Sequence, residues 1–475
     1  MNDCCDKPEG GTYDLVVIGA GSAGFSAAIT AAGGGKRVAL VGHGTIGGTC
    51  VNVGCVPSKA MIRVAEAVHS GRSAVRFPGI GPCEHTVDWP SVLAAREALV
   101  GELRQKKYAD LLPTYEGVDY IEEGPARLVG GGVKVGGRVI RAPRIIIATG
   151  SRPMIPQIDG IDEVPALDST SLLELEERPD SLIFLGGGYI GAELAQMMSR
   201  LGARVTLVTR SRLLPQAEPE VSRALKEALE AEGITVLDGL SYRQVSGDEG
   251  SITLTVERGG KSVGITAGRL VLTAGRVANT EGMGLEEAGV EMDARGSIRV
   301  GDDMQTTAPG IYAAGDVTDR DRFVYMAAYG ARLAATNAVL GGQERYDNST
   351  MPWVVFTDPQ VAGVGLSEAA ARASGLEVKT SVLTLDNVPR ALAARDTRGL
   401  IKLVAEAGSG RLLGGQIIAP EGADSIQTLA MALRAGMTAR ELGETIFPYL
   451  TTVEGLKLAA QTFDMDVAKL SCCAG

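Results

Sequence analysis

The sequence predicts an α/β chain made of two Rossmann-like dinucleotide-binding domains plus a C-terminal α+β domain. Three observations carry that prediction. The spacing G-x-G-x-x-G occurs at Gly19, Gly21 and Gly24 and recurs about 167 positions later at Gly186, Gly188 and Gly191, each time between a strand-like apolar run and a helix-like segment. After the first of these comes a cysteine pair, Cys50 and Cys55, in Gly47-Gly-Thr-Cys-Val-Asn-Val-Gly-Cys-Val-Pro-Ser-Lys59. From about Met351 onward the pattern turns to short apolar strands followed by helices. A length of 475 residues sets a prior of about three domains.

Taken in order, Tyr13-Asp-Leu-Val-Val-Ile18 reads as a strand and the first glycines as the turn that brings a pyrophosphate to backbone at a helix amino terminus. An Ala-rich helix and a returning strand, Arg37-Val-Ala-Leu-Val41, complete the unit. One position departs from the fingerprint. An acid is expected at the end of the second strand to hold the ribose hydroxyls, and the chain has Gly42-His43 there. Residues 59–71 and 90–112 carry helical periodicity, with Pro90 near the start of the second segment. Val118 to Ile140 reads as short strands with glycine turns, and Arg144-Ile-Ile-Ile-Ala-Thr149-Gly150 as a strand ending at a glycine.

The second unit runs from Ser181-Leu-Ile-Phe-Leu185 through its glycine turn to Arg204-Val-Thr-Leu-Val208. It ends in Thr209-Arg-Ser-Arg212, with no acid for a 2′-hydroxyl and two arginines, Arg210 and Arg212, that suit a 2′-phosphate. On that reading the donor is NADPH; two solvated arginines on a loop are the plainer alternative. Leu270-Val-Leu-Thr-Ala-Gly275-Arg276 closes this domain, and Gly310-Ile-Tyr-Ala-Ala-Gly-Asp316 is a further strand ending in Gly-Asp. Strands are then expected at 353–356, 360–364, 400–404 and 412–418, with helices at 424–435 and 453–462.

Composition narrows the function. Abundant glycine (63) and only 4% aromatics suit Gly-rich nucleotide loops better than a β-sandwich, and a net charge of -11 offers no footprint for nucleic acid. The polar, acidic amino terminus does not read as a signal peptide. The apolar run Leu15 to Ala32 is long enough to raise the question of a membrane span, but Gly19, Gly21, Ser22, Gly24, Ser26 and Thr30 break it into strand, turn and helix. Seven cysteines, with adjacent pairs at Cys4/Cys5 and Cys472/Cys473, make a poor disulfide framework and a reasonable set of working thiols in a reducing compartment, so a cytoplasmic location is expected.

Cys50 and Cys55 read as a redox dithiol. On a regular helix, residues five apart differ by about 140° in azimuth and about 7.5 Å along the axis, placing their Cα atoms roughly 8–9 Å apart. A disulfide tolerates only about 7 Å, so a bond between them requires a distorted helix, which Gly54 and Pro57 would allow. The alternative is a pair of buried structural cysteines; two nucleotide signatures on either side of the pair weigh against it.

The segment Gly47–Lys59 resembles the active-site motif of the flavin-dependent pyridine-nucleotide disulfide oxidoreductases, the family of dihydrolipoamide dehydrogenase and glutathione reductase, and the likeness extends over nearly the whole chain. It implies a discontinuous FAD-binding domain (1–160 and 276–350), an NADPH-binding domain (161–275) and an interface domain (351–475) that makes a homodimer with a shared active site. It also implies that FAD is held by Gly19, Gly21, Gly24, Gly48, Thr49, Lys59, Thr149, Gly150 and Asp316, and NADPH by Gly186, Gly188, Gly191, Arg210, Arg212 and Gly275. Tyr189 matches the residue that shields the flavin until nicotinamide displaces it, and Glu193 the partner of the flavin-side lysine, here Lys59; packing is the alternative role for both.

Disulfide reductases of this family move protons with a His-Glu pair from the interface domain. Here the three histidines are His43, His69 and His85, and the corresponding stretch is Phe447-Pro-Tyr449-Leu-Thr-Thr-Val-Glu454. Phe447 carries no proton, and Tyr449, with a phenol whose reference pKa is near 10, is a poor neutral-pH base. The chain closes instead on Leu470-Ser-Cys472-Cys473-Ala-Gly475, a vicinal dithiol suited to a soft metal ion. With Tyr189 and Tyr449, this end resembles the mercury-reducing branch of the family. That likeness implies Hg(II) as substrate, with Cys472 and Cys473 of one subunit passing the ion to Cys50 and Cys55 of the other. Members of that branch often carry an additional N-terminal metal-binding domain; with the core starting by Tyr13, none is expected here.

Overall fold

The computed structural model describes residues 13–469. Both cysteine pairs at the ends, Cys4/Cys5 and Cys472/Cys473, lie outside the described residues. The chain divides into two compact units. One comprises the residues up to Ser58 with Leu93–Met154 and Gly275–Asp347; the other comprises Lys59–Val92, Ile155–Ala274 and the residues from Asn348 on.

The first unit is built on a parallel sheet in the order Ile311–Ala313, Arg144–Ile147, Leu15–Ile18, Val38–Val41, Val118–Ile121. The central strand Leu15–Ile18 is buried at every position, as expected of a parallel strand covered on both faces. Helix Ser22–Gly33 packs against helix Val324–Val339, and both are rich in buried small side chains, Ala27, Ala28 and Ala31 on one and Ala327, Ala331, Ala334 and Ala335 on the other. Alanine lets the backbones come close enough for Ser26 Oγ to donate to Ala328 O at 2.9 Å.

The second unit repeats the construction with a parallel sheet in the order Thr235–Leu237, Arg204–Val208, Ser181–Leu185, Arg269–Leu272, Leu167–Asp168. An antiparallel three-stranded sheet, Ser241–Asp248, Ser251–Arg258 and Lys261–Ala267, shares its core through Val245, Ile252, Leu254 and Val256. The C-terminal part carries an antiparallel sheet in the order Trp353–Val355, Gln360–Gly365, Leu412–Ala419, Leu400–Glu406, Val378–Thr384. Helices Gly422–Arg434 and Glu454–Gln461 cover it. Its edge strand Val378–Thr384, which alternates half-buried, exposed and buried positions, is absent from the sequence-based expectation.

One expected helix differs in detail. Residues 90–112 were expected to form one helix; instead the helix Trp89–Arg104 passes into a π-helical turn, Gln105–Ala109, and then a short 3-10 turn, Leu112–Thr114. Tyr108 lies in this wider turn, and such turns cluster at functional sites. Among the described residues no helix is long and apolar enough to cross a membrane, and the run Leu15 to Ala32 is a strand, a turn and a helix.

Candidate active site

The two glycine turns are the same structure twice. In the first, Gly19 adopts φ 113° with a Cβ position that would strike Ala148 O, and a Cβ on Gly24 would strike Gly19 O. In the second, Gly186 adopts φ 121° against Thr273 O, and a Cβ on Gly191 would strike Gly186 O. Any side chain at these positions collides with backbone, so the glycines are required by close packing of strand, turn and helix. Gly21 and Gly188 are the N-caps of helices Ser22–Gly33 and Tyr189–Arg200, and neither helix start is capped by a side chain. Two helix amino ends are thus left to an anion, and the chemistry fits a dinucleotide pyrophosphate at each.

The dithiol segment is seated on the first of these turns. Gly47 N donates to Ala20 O at 2.9 Å, and Gly48 lies so close to Gly21 that a Cβ on it would come within 2.7 Å of Gly21 Cα. Helix Gly48–Asn52 carries Cys50, breaks at Val53 (φ -137°), and helix Cys55–Ser73 starts afresh. Gly54 makes the break possible, since a Cβ there would sit 2.9 Å from Thr49 O and 3.3 Å from Cys50 Cα. Pro57 falls in the first turn of the new helix, where its missing N–H costs nothing, and Ser58 N closes that turn on Gly54 O at 3.1 Å. The interruption between the two cysteines is the distortion a disulfide between them requires. Asn52 Nδ2 donates to Ile46 O (2.9 Å) and Gly48 O (2.8 Å), and Arg104 Nη1 donates to Asn52 Oδ1 (3.1 Å), which holds the segment in place. Cys50 is half-buried, Cys55 and Thr49 exposed.

Tyr108, which nothing in the sequence singled out, stands beside the dithiol. Its hydroxyl lies 3.3 Å from Ser22 Oγ, and its ring meets Phe25 edge-on at 5.0 Å. Burial pushes the phenol above its ordinary pKa; the Ser22 hydrogen bond pulls the other way, and the negative charge of Cys50 and Cys55 adds to the rise.

Elsewhere in the first unit, Thr149 Oγ1 donates to Asn279 O (2.8 Å) and Asn279 N to Gly150 O (3.0 Å), while Gly275 O accepts from Met154 N (3.0 Å). Asp316 Oδ2 accepts from Ser151 Oγ (2.8 Å), and Arg276 Nε donates to the same hydroxyl (2.8 Å).

In the second unit Lys59 Nζ donates to Glu193 Oε2 at 2.6 Å, and Glu193 Oε1 accepts from Phe356 N at 2.9 Å. Glu193 is 5% exposed, so both of its oxygens are satisfied where water is excluded. The ammonium also lies 5.1 Å from the centre of the Phe356 ring. Glu193, Gln196 and Arg200 form one buried polar stripe on helix Tyr189–Arg200, at the i, i+3, i+7 spacing of a helix face. Gln196 exchanges two hydrogen bonds with Asp358, and Arg200 binds Glu232 and Asp358 at 2.6 and 2.8 Å. That stripe pins the nucleotide helix to the loop after Trp353–Val355. A polar row inside an otherwise apolar helix is the signal that would have revealed it. Tyr189 stacks on Trp353 with ring centres 5.6 Å apart and planes 15° apart.

The two arginines after Arg204–Val208 differ. Arg212 Nη2 donates to Pro215 O (2.7 Å) and Ala217 O (2.6 Å), so its guanidinium braces its own loop. Arg210 is exposed and lies close enough to Tyr242 to act on that phenol. Phe447 packs half-buried on the C-terminal core, and Tyr449 is 57% exposed beside Ile446, which is 95% exposed. His69 lies 3.8 Å from Glu232, but burial and then the Arg200 guanidinium hold its pKa below the ordinary value. Among the described residues no three His, Cys, Asp or Glu side chains gather as a metal cage. Cys83 is exposed.

Comparison with known proteins agrees with this geometry. Residues 13–335 match the pyridine nucleotide-disulphide oxidoreductase family, and residues 351–460 match its dimerisation domain. The chain is 46% identical over 469 residues to the mercuric reductase of Streptomyces lividans, covering 98% of each. It is 45% identical over 465 residues to that of Bacillus cereus, covering 98% of this chain and 73% of the relative. Among solved structures, the HOCl-induced flavoprotein disulfide reductase RclA from Escherichia coli, in its Cu(II) complex, superposes with a TM-score of 0.84 at 28% identity, covering 95% of this chain and 99% of that one. LpdA from Mycobacterium tuberculosis gives 0.81 at 27% identity, covering 94% and 99%. The chain belongs to the pyridine nucleotide-disulphide oxidoreductase family.

Proposed function

We propose that this protein is an NADPH-dependent flavoprotein that reduces Hg(II) to elemental mercury, and so detoxifies it. The observation that carries the reading is the interrupted dithiol helix seated on the first glycine turn within one compact unit, in a chain 46% identical to a mercuric reductase along 98% of its length.

FAD would be held by the turn of Gly19, Gly21 and Gly24, with Gly48, Thr49, Lys59, Thr149, Gly150 and Asp316. NADPH would be held by Gly186, Gly188 and Gly191, with Gly275 and the arginines. Residues 1–160 and 276–350, 161–275 and 351–475 are the corresponding FAD, NADPH and interface domains. Bound FAD supplies the redox centre that joins a two-electron donor to the thiols. The overall balance is NADPH plus Hg(II) to NADP⁺, a proton and neutral mercury.

The protein's residues do the rest. Cys50 and Cys55 take the ion as paired thiolates, since a soft cation prefers sulfur. Cys55 is assigned to the flavin side and Cys50 to ligand exchange. Glu193 holds the Lys59 side chain in place, and Tyr189 covers the nicotinamide position. In a homodimer, Cys472 and Cys473 of the partner subunit collect Hg(II) and hand it inward thiolate for thiolate, with Tyr449 at the entry. Because the product is a neutral atom and not a thiol awaiting a proton, a histidine at position 447 is dispensable. A reducing cytoplasm would keep all four thiols ready.

The test is anaerobic NADPH oxidation with Hg(II) in excess thiol, with volatile mercury trapped. Mercury release in step with NADPH consumption supports the reading. Equal turnover of oxidised glutathione or lipoamide would overturn it in favour of a disulfide reductase. A Cys472→Ala/Cys473→Ala variant is expected to lose turnover chiefly with strongly thiol-complexed mercury; unchanged rates with every mercury complex would remove the tail from the pathway.

A further inference from the structure

Among the described residues two buried side-chain atoms lack a hydrogen-bond partner, Arg320 Nε and Tyr120 Oη. The Arg320 guanidinium is otherwise engaged, with Nη2 donating to Val300 O and Asp302 Oδ1. Tyr120 has only its hydroxyl. A buried polar atom left unsatisfied is costly, and it calls for a reason.

Its position supplies one. In the parallel pairing of Val38–Val41 with Val118–Ile121, Leu40 stands opposite Tyr120, so residues 40, 42 and 120 share one face of the sheet. The phenol runs along that face to Gly42. A Cβ on residue 42 would strike Tyr120 Oη and come within 2.6 Å of ring carbon Cε2. Position 42 is where the dinucleotide fingerprint places its ribose-binding acid. The phenol therefore occupies the space through which that acid would grow, and Gly42 is the residue that makes room. The residue as a whole is half-buried while its oxygen is buried, so the hydroxyl meets a ligand when the side chain turns outward from Gly42. Burial, and then the charge of Glu122, push the phenol above its ordinary pKa, which keeps its proton in place at neutral pH.

The second unit gives the contrast. There Tyr242, which comes from the antiparallel sheet, donates its hydroxyl to Val208 O at 3.2 Å, at the end of the strand that corresponds to Val38–Val41, and is satisfied within the protein. Tyr120 has no such carbonyl.

We propose that the Tyr120 hydroxyl replaces the missing acid of the first fingerprint and hydrogen-bonds a ribose hydroxyl in the adenosine half of FAD. This rests on the FAD reading above and deepens it. A phenol both donates and accepts, so one Oη–ribose contact satisfies the orphan atom and anchors the sugar.

The experiment uses full-length protein stripped of flavin and titrated with FAD, following quenching of flavin fluorescence. Tyr120→Phe keeps the ring and removes the oxygen. Its FAD Kd is expected to weaken about threefold to tenfold, the range of one net hydrogen bond. Its flavin-free melting temperature should be unchanged or higher, because the unsatisfied atom is gone. A Kd within twofold of the unaltered protein overturns the proposal, as does a matching loss of flavin-free stability, which would mark a packing role. Gly42→Glu alone should weaken FAD binding by collision with the phenol, and Gly42→Glu/Tyr120→Val, which restores the acid with room for it, should recover it. Tighter binding by the single Gly42→Glu variant overturns the proposal too. Unaltered protein that takes up no FAD overturns the cofactor reading itself, an outcome visible before any variant is made.

Discussion

In the first nucleotide unit Gly19 N donates to Val41 O and Ala148 N to Ile18 O, both at 2.8 Å; in the second Gly186 N donates to Val208 O at 2.8 Å and Thr273 N to Leu185 O at 2.9 Å. Gly42 N then reaches Ile121 O at 2.9 Å where Thr209 N reaches Leu237 O at 2.8 Å. The backbone is repeated bond for bond. The side chains diverge one step past the second strand, where one unit has a bare glycine under a phenol and the other a buried threonine followed by Arg210. On the proposed reading, the shared turn recognises what all dinucleotides have in common and the divergent strand end selects which one binds. The units also differ in what is mounted on the turn. The first carries the dithiol, and the second carries the stripe that holds Lys59.

If chemistry belongs to the first unit and docking of the reductant to the second, Cys55→Ser should reduce mercury-dependent NADPH oxidation on the order of 10³-fold or more, while flavin content stays normal. Substantial residual turnover would break the division. Next in size is a matched pair. Gly24→Ala forces a Cβ onto Gly19 O, and Gly191→Ala forces one onto Gly186 O. Overpacking of this kind costs about 1–3 kcal/mol. Gly24→Ala should lower the flavin-to-protein ratio, and Gly191→Ala should raise the NADPH KM with flavin retained. Loss of flavin in both variants would mean the turns are not independent.

Arg210→Ala should raise the KM for NADPH by about tenfold to a hundredfold and leave NADH little changed, the worth of a charge-assisted phosphate contact. Arg212→Ala should do less, since its guanidinium is spent on Pro215 and Ala217 carbonyls. Equal effects would return both residues to a general electrostatic role. The smallest expected effect concerns Tyr242, whose phenol burial pushes up to about 12. The folded state thus holds the proton more tightly than the unfolded chain, whose value is near 10. Its contribution to stability is full below about pH 10 and is lost as pH rises toward about 12. Denaturant melts across that window should show the decline, and Tyr242→Phe should flatten it.

Much of the site was legible before the fold because its signals are local. A strand, a glycine turn and a helix occupy some thirty consecutive residues, and Cys50, Gly54, Cys55 and Pro57 announce a broken helix by spacing and residue type. Tyr108 gave no such sign, since it lies in a π-helical turn where periodicity reads a continuous helix, and its partners Ser22 and Phe25 are more than eighty positions away. The edge strand Val378–Thr384 was equally silent: only one of its faces is covered, and its partners at 400–406 come later in the chain. The stripe of Glu193, Gln196 and Arg200 is readable as a period but not as a purpose, which depends on Phe356 and Asp358 arriving from more than a hundred and fifty positions away.

Sequence by itself determined the two nucleotide units, their order, the dithiol between them and the missing acid at position 42, because each is written in residues close enough along the chain for backbone sterics to enforce it. Tertiary structure alone decided what fills the gap at Gly42, which arginine is tied to the carbonyls of its own loop, and how a buried carboxylate holds Lys59. Those answers turn on side chains from distant segments meeting where water is excluded, and there an unpaired polar atom costs too much to be left without a partner.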